Sequence, residues 1–177
     1  MAVDHVKSAI ITDLDASPVV PKTAGRGAAA DLKELFGYAT AVASSSADAT
    51  YQLVRIPSNC RVVSIIFESE AQTAGKFDLG LYYATDGQGG QPTALLAAAA
   101  IDQDFFASVI DCAAAVTPTE VVNESGTYTL DKRNQPIWQA VGLTSDPGGS
   151  FDIVATVKTT AVTTGTGKFG ISVRITV

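Results

Sequence analysis

Histidine, tryptophan and methionine occur once each in this 177-residue chain, cysteine twice, and charged residues make up only 17% of it. The single histidine, His5, would have only Cys60 and Cys112 as soft partners, too few for a Ser-His-Asp triad or a His-rich zinc centre. Basic clusters are missing too. A formal net charge of -6 and a pI near 4.6 repel a phosphate backbone on average, which argues against nucleic acid as a partner. The longest unbroken apolar run, ALLAAAAI from Ala94 to Ile101, falls far short of the roughly 20 residues a membrane-spanning helix needs. The opening MAVDHVKSAIITDLD places acids and His5 where a signal peptide carries a basic lead and a long apolar core, so no export signal and no membrane partner are expected. In a reducing cytosol, Cys60 and Cys112 are then expected to be buried free thiols.

What is abundant is apolar and small: 46% of residues are hydrophobic and 15 are glycine. That profile fits one β-rich domain rather than disorder or a coiled coil. From Tyr51 onward the hydrophobic period is two. Val63, Ile65 and Phe67 share a face in RVVSIIFE, and Phe77, Leu79, Leu81 and Tyr83 share one in KFDLGLYY. Phe151, Ile153, Ala155 and Val157 alternate with Asp152, Val154, Thr156 and Lys158, and Phe169, Ile171, Val173, Ile175 and Val177 do the same at the end of the chain. Strands with one apolar face each suit antiparallel sheets that pack on one side and meet water on the other. Turn sequences separate them: AQTAGK, TDGQGGQP, SDPGGS and TTGTGK. Weaker strand signals lie near Tyr51 to Ile56, Val109 to Val116 and Gly126 to Leu130. Two short helical turns are expected, one capped by Asp102 or Asp104 around Phe105 and Phe106, the other opening at Pro136 and closing at Gly142. The predicted fold is all-β: an antiparallel β-sandwich of jelly-roll type with short helical turns and an extended N-terminal arm.

Residues 1–45 read as that arm and residues 46–177 as the sandwich domain. Pro18 and Pro21 favour extended backbone, TAGRGAAAD reads as a link, and Asp31 with Glu34 can cap one helical turn in DLKELF that ends at Gly37. The arm carries Ile10, Ile11, Leu14, Val19, Val20, Leu32, Leu35 and Phe36, a load of apolar side chains that must lie on something. These eight are the candidate contacts to a partner or a sister subunit. Trp138 is the candidate structural or intersubunit contact in the body.

No residue set calls for catalysis or a cofactor. GTGKFG matches G-x-G-x-x-G, but a period-two strand follows where a phosphate loop needs a helix, and Lys168 precedes Phe169 rather than Ser or Thr. Asp102 with Asp104 reads as a helix start and Asp13 with Asp15 as arm residues, so neither pair suggests a catalytic dyad. Asp86 and Asp146 sit beside Gly and Pro as turn residues do; together with Asp152 they are the acids that a calcium site would draw on. Tyr82, Tyr128 and Trp138 are the aromatics available for a sugar platform.

The arm VKSAIITDLDASPVVPKTAGRGAAADL and the segments YQLVRIPSNCRVVSI, FDLGLYY, DQDFFASVID, PIWQAVGLTSDP and FDIVATV together resemble small structural proteins of tailed bacteriophages. More narrowly, the chain resembles head decoration, or cement, proteins. That resemblance implies a jelly-roll domain, commonly trimeric, which sits at three-fold or quasi-three-fold sites on the outer capsid surface and clamps neighbouring major capsid protein subunits. It implies no catalytic residue, and a protein made in the bacterial host cytoplasm before joining the virion. A receptor- or carbohydrate-binding module of a head fibre or tail is the alternative.

Overall fold

A computed structural model describes residues 5–7, 11–12, 15, 32–43, 45–72, 74–84, 100–158 and 167–177. Its strands are β1 (His5–Lys7), β2 (Leu32–Thr40), β3 (Thr50–Pro57), β4 (Arg61–Ser69), β5 (Lys76–Tyr83), β6 (Ala100–Asp111), β7 (Val116–Glu120), β8 (Ser150–Val157) and β9 (Lys168–Thr176). A 3-10 turn (Lys132–Asn134) and the one-turn helix α1 (Ile137–Ala140) lie between β7 and β8. The first sheet runs β1-β3-β8-β5-β6 and the second β2-β9-β4-β7. All pairings are antiparallel except β1 with β3. The fold is thus the expected all-β sandwich, with very little helix. Within it β2 pairs with β9, β3 with β8, β4 with β7 and β5 with β6, a nested set centred on the β5–β6 pair.

The core is aromatic at two points. Phe169 of β9 stacks on Phe77 of β5 at 4.7 Å and meets the edge of Tyr51 at 5.1 Å, so three strands from both sheets share one cluster. The Tyr51 hydroxyl bonds Ser45 Oγ at 2.6 Å and accepts the Val42 N–H at 3.0 Å, which fixes the turn between β2 and β3. A second cluster joins Phe105, Phe106 and Tyr128, whose hydroxyl donates to the Val62 carbonyl at 3.1 Å.

Four local expectations are corrected. DLKELF is not a helical turn, because Leu32–Thr40 pairs with β9 along nine consecutive register positions; a single turn of helix is marginal alone, and the ladder outweighs it. Gly37 suits that strand, since a Cβ there would stand 2.0 Å from the Leu53 carbonyl oxygen. Asp102 and Asp104 cap no helix but lie within β6, which bulges over Gly80, where a Cβ would fall 2.3 Å from the carbonyls of Asp102 and Gln103. Gly126 to Leu130 is a turn that inserts Tyr128 into the core, not a strand. Val63 is 44% exposed rather than facing inward with Ile65 and Phe67, because the β4–β9 register shifts between Val62 and Ser64.

The other turns follow their chemistry. Pro136 precedes α1 and Gly142, at φ +88°, ends it. Asp146 Oδ1 accepts the Gly148 N–H at 2.8 Å and the Ser58 hydroxyl at 2.5 Å, so it is a turn residue as expected. Asp86 and most of TTGTGK lie outside the described residues. Truncating Phe169 to Ala should cost about 3–5 kcal/mol and lower the urea midpoint accordingly. An unchanged midpoint would mean that the two sheets do not share this core.

Candidate functional site

The two sheets differ in what covers them. In the first, β5 and β8 are buried on both faces: Phe77, Leu79 and Leu81 point into the core, while Asp78, Tyr82, Asp152, Val154 and Thr156 are buried on the opposite side. The sequence alternation suggested a wet outer face here, and instead it is sealed. Its charged groups at Asp78 and Asp152 are paired. Arg55 and Asp152 stand opposite each other in the β3–β8 register and bond through two contacts, Nε to Oδ1 at 2.7 Å and Nη2 to Oδ2 at 3.1 Å. The third guanidinium nitrogen, Nη1, bonds Asp15 Oδ1 at 2.8 Å, and Lys7 Nζ bonds Asp15 Oδ2 at 2.6 Å. Asp78 is held by Lys158 at 3.0 Å and by the Val109 N–H at 2.8 Å, and the Tyr82 hydroxyl bonds Thr156 at 2.6 Å. Lys7 and Asp15 therefore bind the start of the chain to its own body.

Burial works against the charged form of Asp15, yet its bonds to Lys7 and Arg55 outweigh burial and hold the carboxyl below its ordinary range. Burial likewise opposes the charge on Arg55, and the carboxylates of Asp152 and Asp15 overcome it, raising its pKa. Cys60 and Cys112 are both buried and free, as expected, and burial pushes their thiols up to about 12 and about 11.

The second sheet is open on its outer side. Leu32 (52% exposed), Phe36 (48%) and Tyr38 (47%) project from alternate positions of β2, and Phe36 and Tyr38 lie ring to ring at 6.2 Å. Two grooves flank this strip. One, of 450 Å³, runs over Gly170 between Phe36 and Tyr38 on one side and Glu68, Val116 and Lys168 on the other. Its floor is backbone, since a Cβ on Gly170 would lie 2.9 Å from the Tyr38 Cβ. The other, of 750 Å³, is lined by Leu32, Asn59, Arg61, Pro136, Trp138 and Val177.

The candidate residues thus separate. Leu32 and Trp138 come together in the larger groove and Phe36 lines the smaller, while Leu35 is half-buried against the core. Ile11, expected at a partner surface, is completely buried within its own chain, with the Asp15 N–H on its carbonyl at 2.9 Å. Ile10, Leu14, Val19 and Val20 lie outside the described residues. Of the aromatics considered for a sugar platform, Tyr82 and Tyr128 are buried, which leaves Trp138. Tyr38, Val63 and Val177 were missed as surface groups; the β2 alternation would have exposed Tyr38 had DLKELFGYAT been read with a period of two. Asp104 bonds Asp102 through its N–H at 3.3 Å, and burial together with the neighbouring Asp104 holds the Asp102 carboxyl above its usual range. Among the described residues no group of three or more His, Cys, Asp or Glu is placed to hold a metal ion, and no helix is long and apolar enough to cross a membrane.

No protein-family model matches the chain, and no curated protein matches it in sequence. Solved structures do match, over nearly the whole length. The chain shares its fold with proteins from two bacteriophage capsids. A chain in the capsid of Ralstonia phage GP4 superposes with a TM-score of 0.60 at 13% identity, covering 97% of this chain and 96% of that one. A chain in the capsid asymmetric unit of cyanophage Pam1 gives a TM-score of 0.50 at 12% identity, covering 92% and 96%. At such identities what is shared is the fold, and residue roles do not transfer.

Replacing Arg55 with Ala should destabilise the protein by about 3–5 kcal/mol, since buried Asp152 would lose its guanidinium counter-charge. The Asp15 contribution has a pH signature: a carboxyl with a depressed folded pKa adds stability above its ordinary value of 3.8, and that part is lost as pH falls through the folded pKa. Acid unfolding should therefore begin at higher pH in Asp15→Asn than in the wild type; coincident acid transitions would contradict the ion chain.

Proposed function

We propose that the protein is a non-enzymatic capsid decoration, or cement, protein that binds the outer surface of a phage head and stabilises contacts between major capsid protein subunits. The observation that carries this reading is the match to chains in two phage capsids, which spans almost all of both partners and so concerns a whole protein of similar size rather than a shared insert. The nested pairing of β2 to β9 supports the jelly-roll form of the sandwich. In this reading the partners are the major capsid protein and further copies of the chain, grouped as a trimer, on the outside of the virion. No nucleic acid, membrane or cofactor enters.

The physical division of labour fits the role. A cement protein needs a rigid block and an apolar surface that remains unsatisfied until it meets the lattice. The open side of the second sheet provides Leu32, Phe36, Tyr38 and Val63. The arm, residues 1–45, adds Ile10, Leu14, Val19 and Val20 as contacts to the capsid or a sister subunit. Three copies engaging together raise the effective concentration of each contact, so modest individual contacts give firm attachment.

Deleting the residues before Leu32 should leave a folded sandwich, weakened by the loss of Asp15 beside Arg55, that no longer co-sediments with undecorated heads. Undiminished co-sedimentation would remove the arm from the contact. The larger groove beside Trp138 and Arg61 keeps one competing reading specific: a glycan site of a head fibre or tail. Glycan binding lost in Trp138→Ala, with no binding to heads by the wild type, would favour that reading.

A further inference from the structure

The free edge of β2 carries a pattern that the outward apolar face does not explain. The Ala41 N–H bonds the Gly167 carbonyl on the β9 side at 3.0 Å. Backbone groups alternate direction along a strand, so those of Leu32, Glu34, Phe36, Tyr38 and Thr40 point the other way, toward the open edge. Among the described residues these groups have no hydrogen-bond partner, and β2 ends its sheet. Among the described residues the edge is uncovered, and its charges, Lys33 and Glu34, lie at one end only. It is nine residues long, has no proline, and keeps an unbroken register with β9.

We propose that this edge pairs with β2 of a second copy, antiparallel, about a two-fold axis through Phe36. The sequence of β2 is self-complementary in that register, which gives the longest overlap of the two strands. With the axis at Phe36 all nine residues overlap, and each edge-facing residue meets another edge-facing residue: Leu32 meets Thr40, Glu34 meets Tyr38, and Phe36 meets Phe36. The only charges, Lys33 and Glu34, then face Ala39 and Tyr38 of the other copy. Moving the axis to Glu34 sets two carboxylates against each other, and moving it to Tyr38 leaves only Phe36 to Thr40 overlapped. On the outer face Phe36 and Tyr38 of both copies gather into one aromatic cluster, covering side chains that are 48% and 47% exposed in the single chain. An isologous contact closes on two copies, so on a lattice it would join neighbouring trimers across a two-fold axis rather than build the three-fold itself. The inference does not depend on the capsid reading, because it concerns the isolated protein.

Disulfide trapping tests it on the full chain. Residues opposite each other in a hydrogen-bonded antiparallel pair lie about 5.5 Å apart at Cα, inside the roughly 4.4–6.8 Å span of a disulfide, whereas diagonal neighbours at about 7–8 Å are not. Phe36→Cys should therefore give a disulfide-linked dimer under mild oxidation, and Glu34→Cys or Tyr38→Cys alone should not. The double variant Glu34→Cys with Tyr38→Cys should link again. The native Cys60 and Cys112 are completely buried and do not compete. Phe36→Cys should link roughly tenfold faster than Leu130→Cys, an exposed control, because pairing holds the two thiols at high effective concentration. Light scattering of the wild type should show a mass that doubles with concentration. Equal linking rates at positions 36 and 130, or equal linking by the three single variants of β2, would overturn the proposal. So would a mass that never rises with concentration.

Discussion

Asp152 lies completely buried in the second-last strand, and the rest of the arrangement depends on how its charge is met. A lone carboxylate there would cost several kilocalories per mole in desolvation, and Arg55 offsets that by clasping it through two hydrogen bonds. That clasp leaves one guanidinium nitrogen unused, and Asp15 takes it, with Lys7 on the far side of Asp15. A chain of four charges thus starts in the body and ends in the first residues of the protein. Beside it β5 and β8 are closed on both sides, and the exposed apolar side chains of β2 lie on the other sheet.

The closed sheet also explains where glycine is needed. Gly80 lets the β6 bulge cross over β5, and Gly37 lets β2 approach the backbone of β3, so the sandwich narrows where two strands of opposite sheets pass each other. On the open side the same device makes a groove instead. Gly170 provides no side chain between Tyr38 and Glu68, and an apolar trough results. One residue type therefore seals one side of the protein and opens the other.

Much of the sandwich was legible in the sequence, because four strands announce themselves by alternation and the Pro136 to Gly149 joint announces itself by turn chemistry. What could not be read was which faces are covered twice. Asp152, Val154 and Thr156 look like a solvent face when judged by period alone, and their interior partners, Arg55 for Asp152 and Tyr82 for Thr156, lie far away in sequence. Local propensity misled in DLKELF, where good helix formers lie on a ladder with β9, and around Phe105, where acids that cap helices elsewhere ride a bulge. Trp138 was legible as a joint: its N–H bonds the Ser58 carbonyl, and its side chain lines a groove shared with Leu32. Tyr38 was not, because the helical reading stopped at Gly37.

The fold shared with two capsid chains and the uncovered side of the second sheet support one account, in which that side faces the lattice. Hydroxyl-radical footprinting of the protein, free and bound to undecorated heads, tests it most directly. The account predicts that oxidation of Phe36, Tyr38 and Trp138 falls on binding while that of Val109, on the first sheet, is unchanged. Bound protein in which Phe36 and Tyr38 oxidise as fast as in the free chain would contradict it.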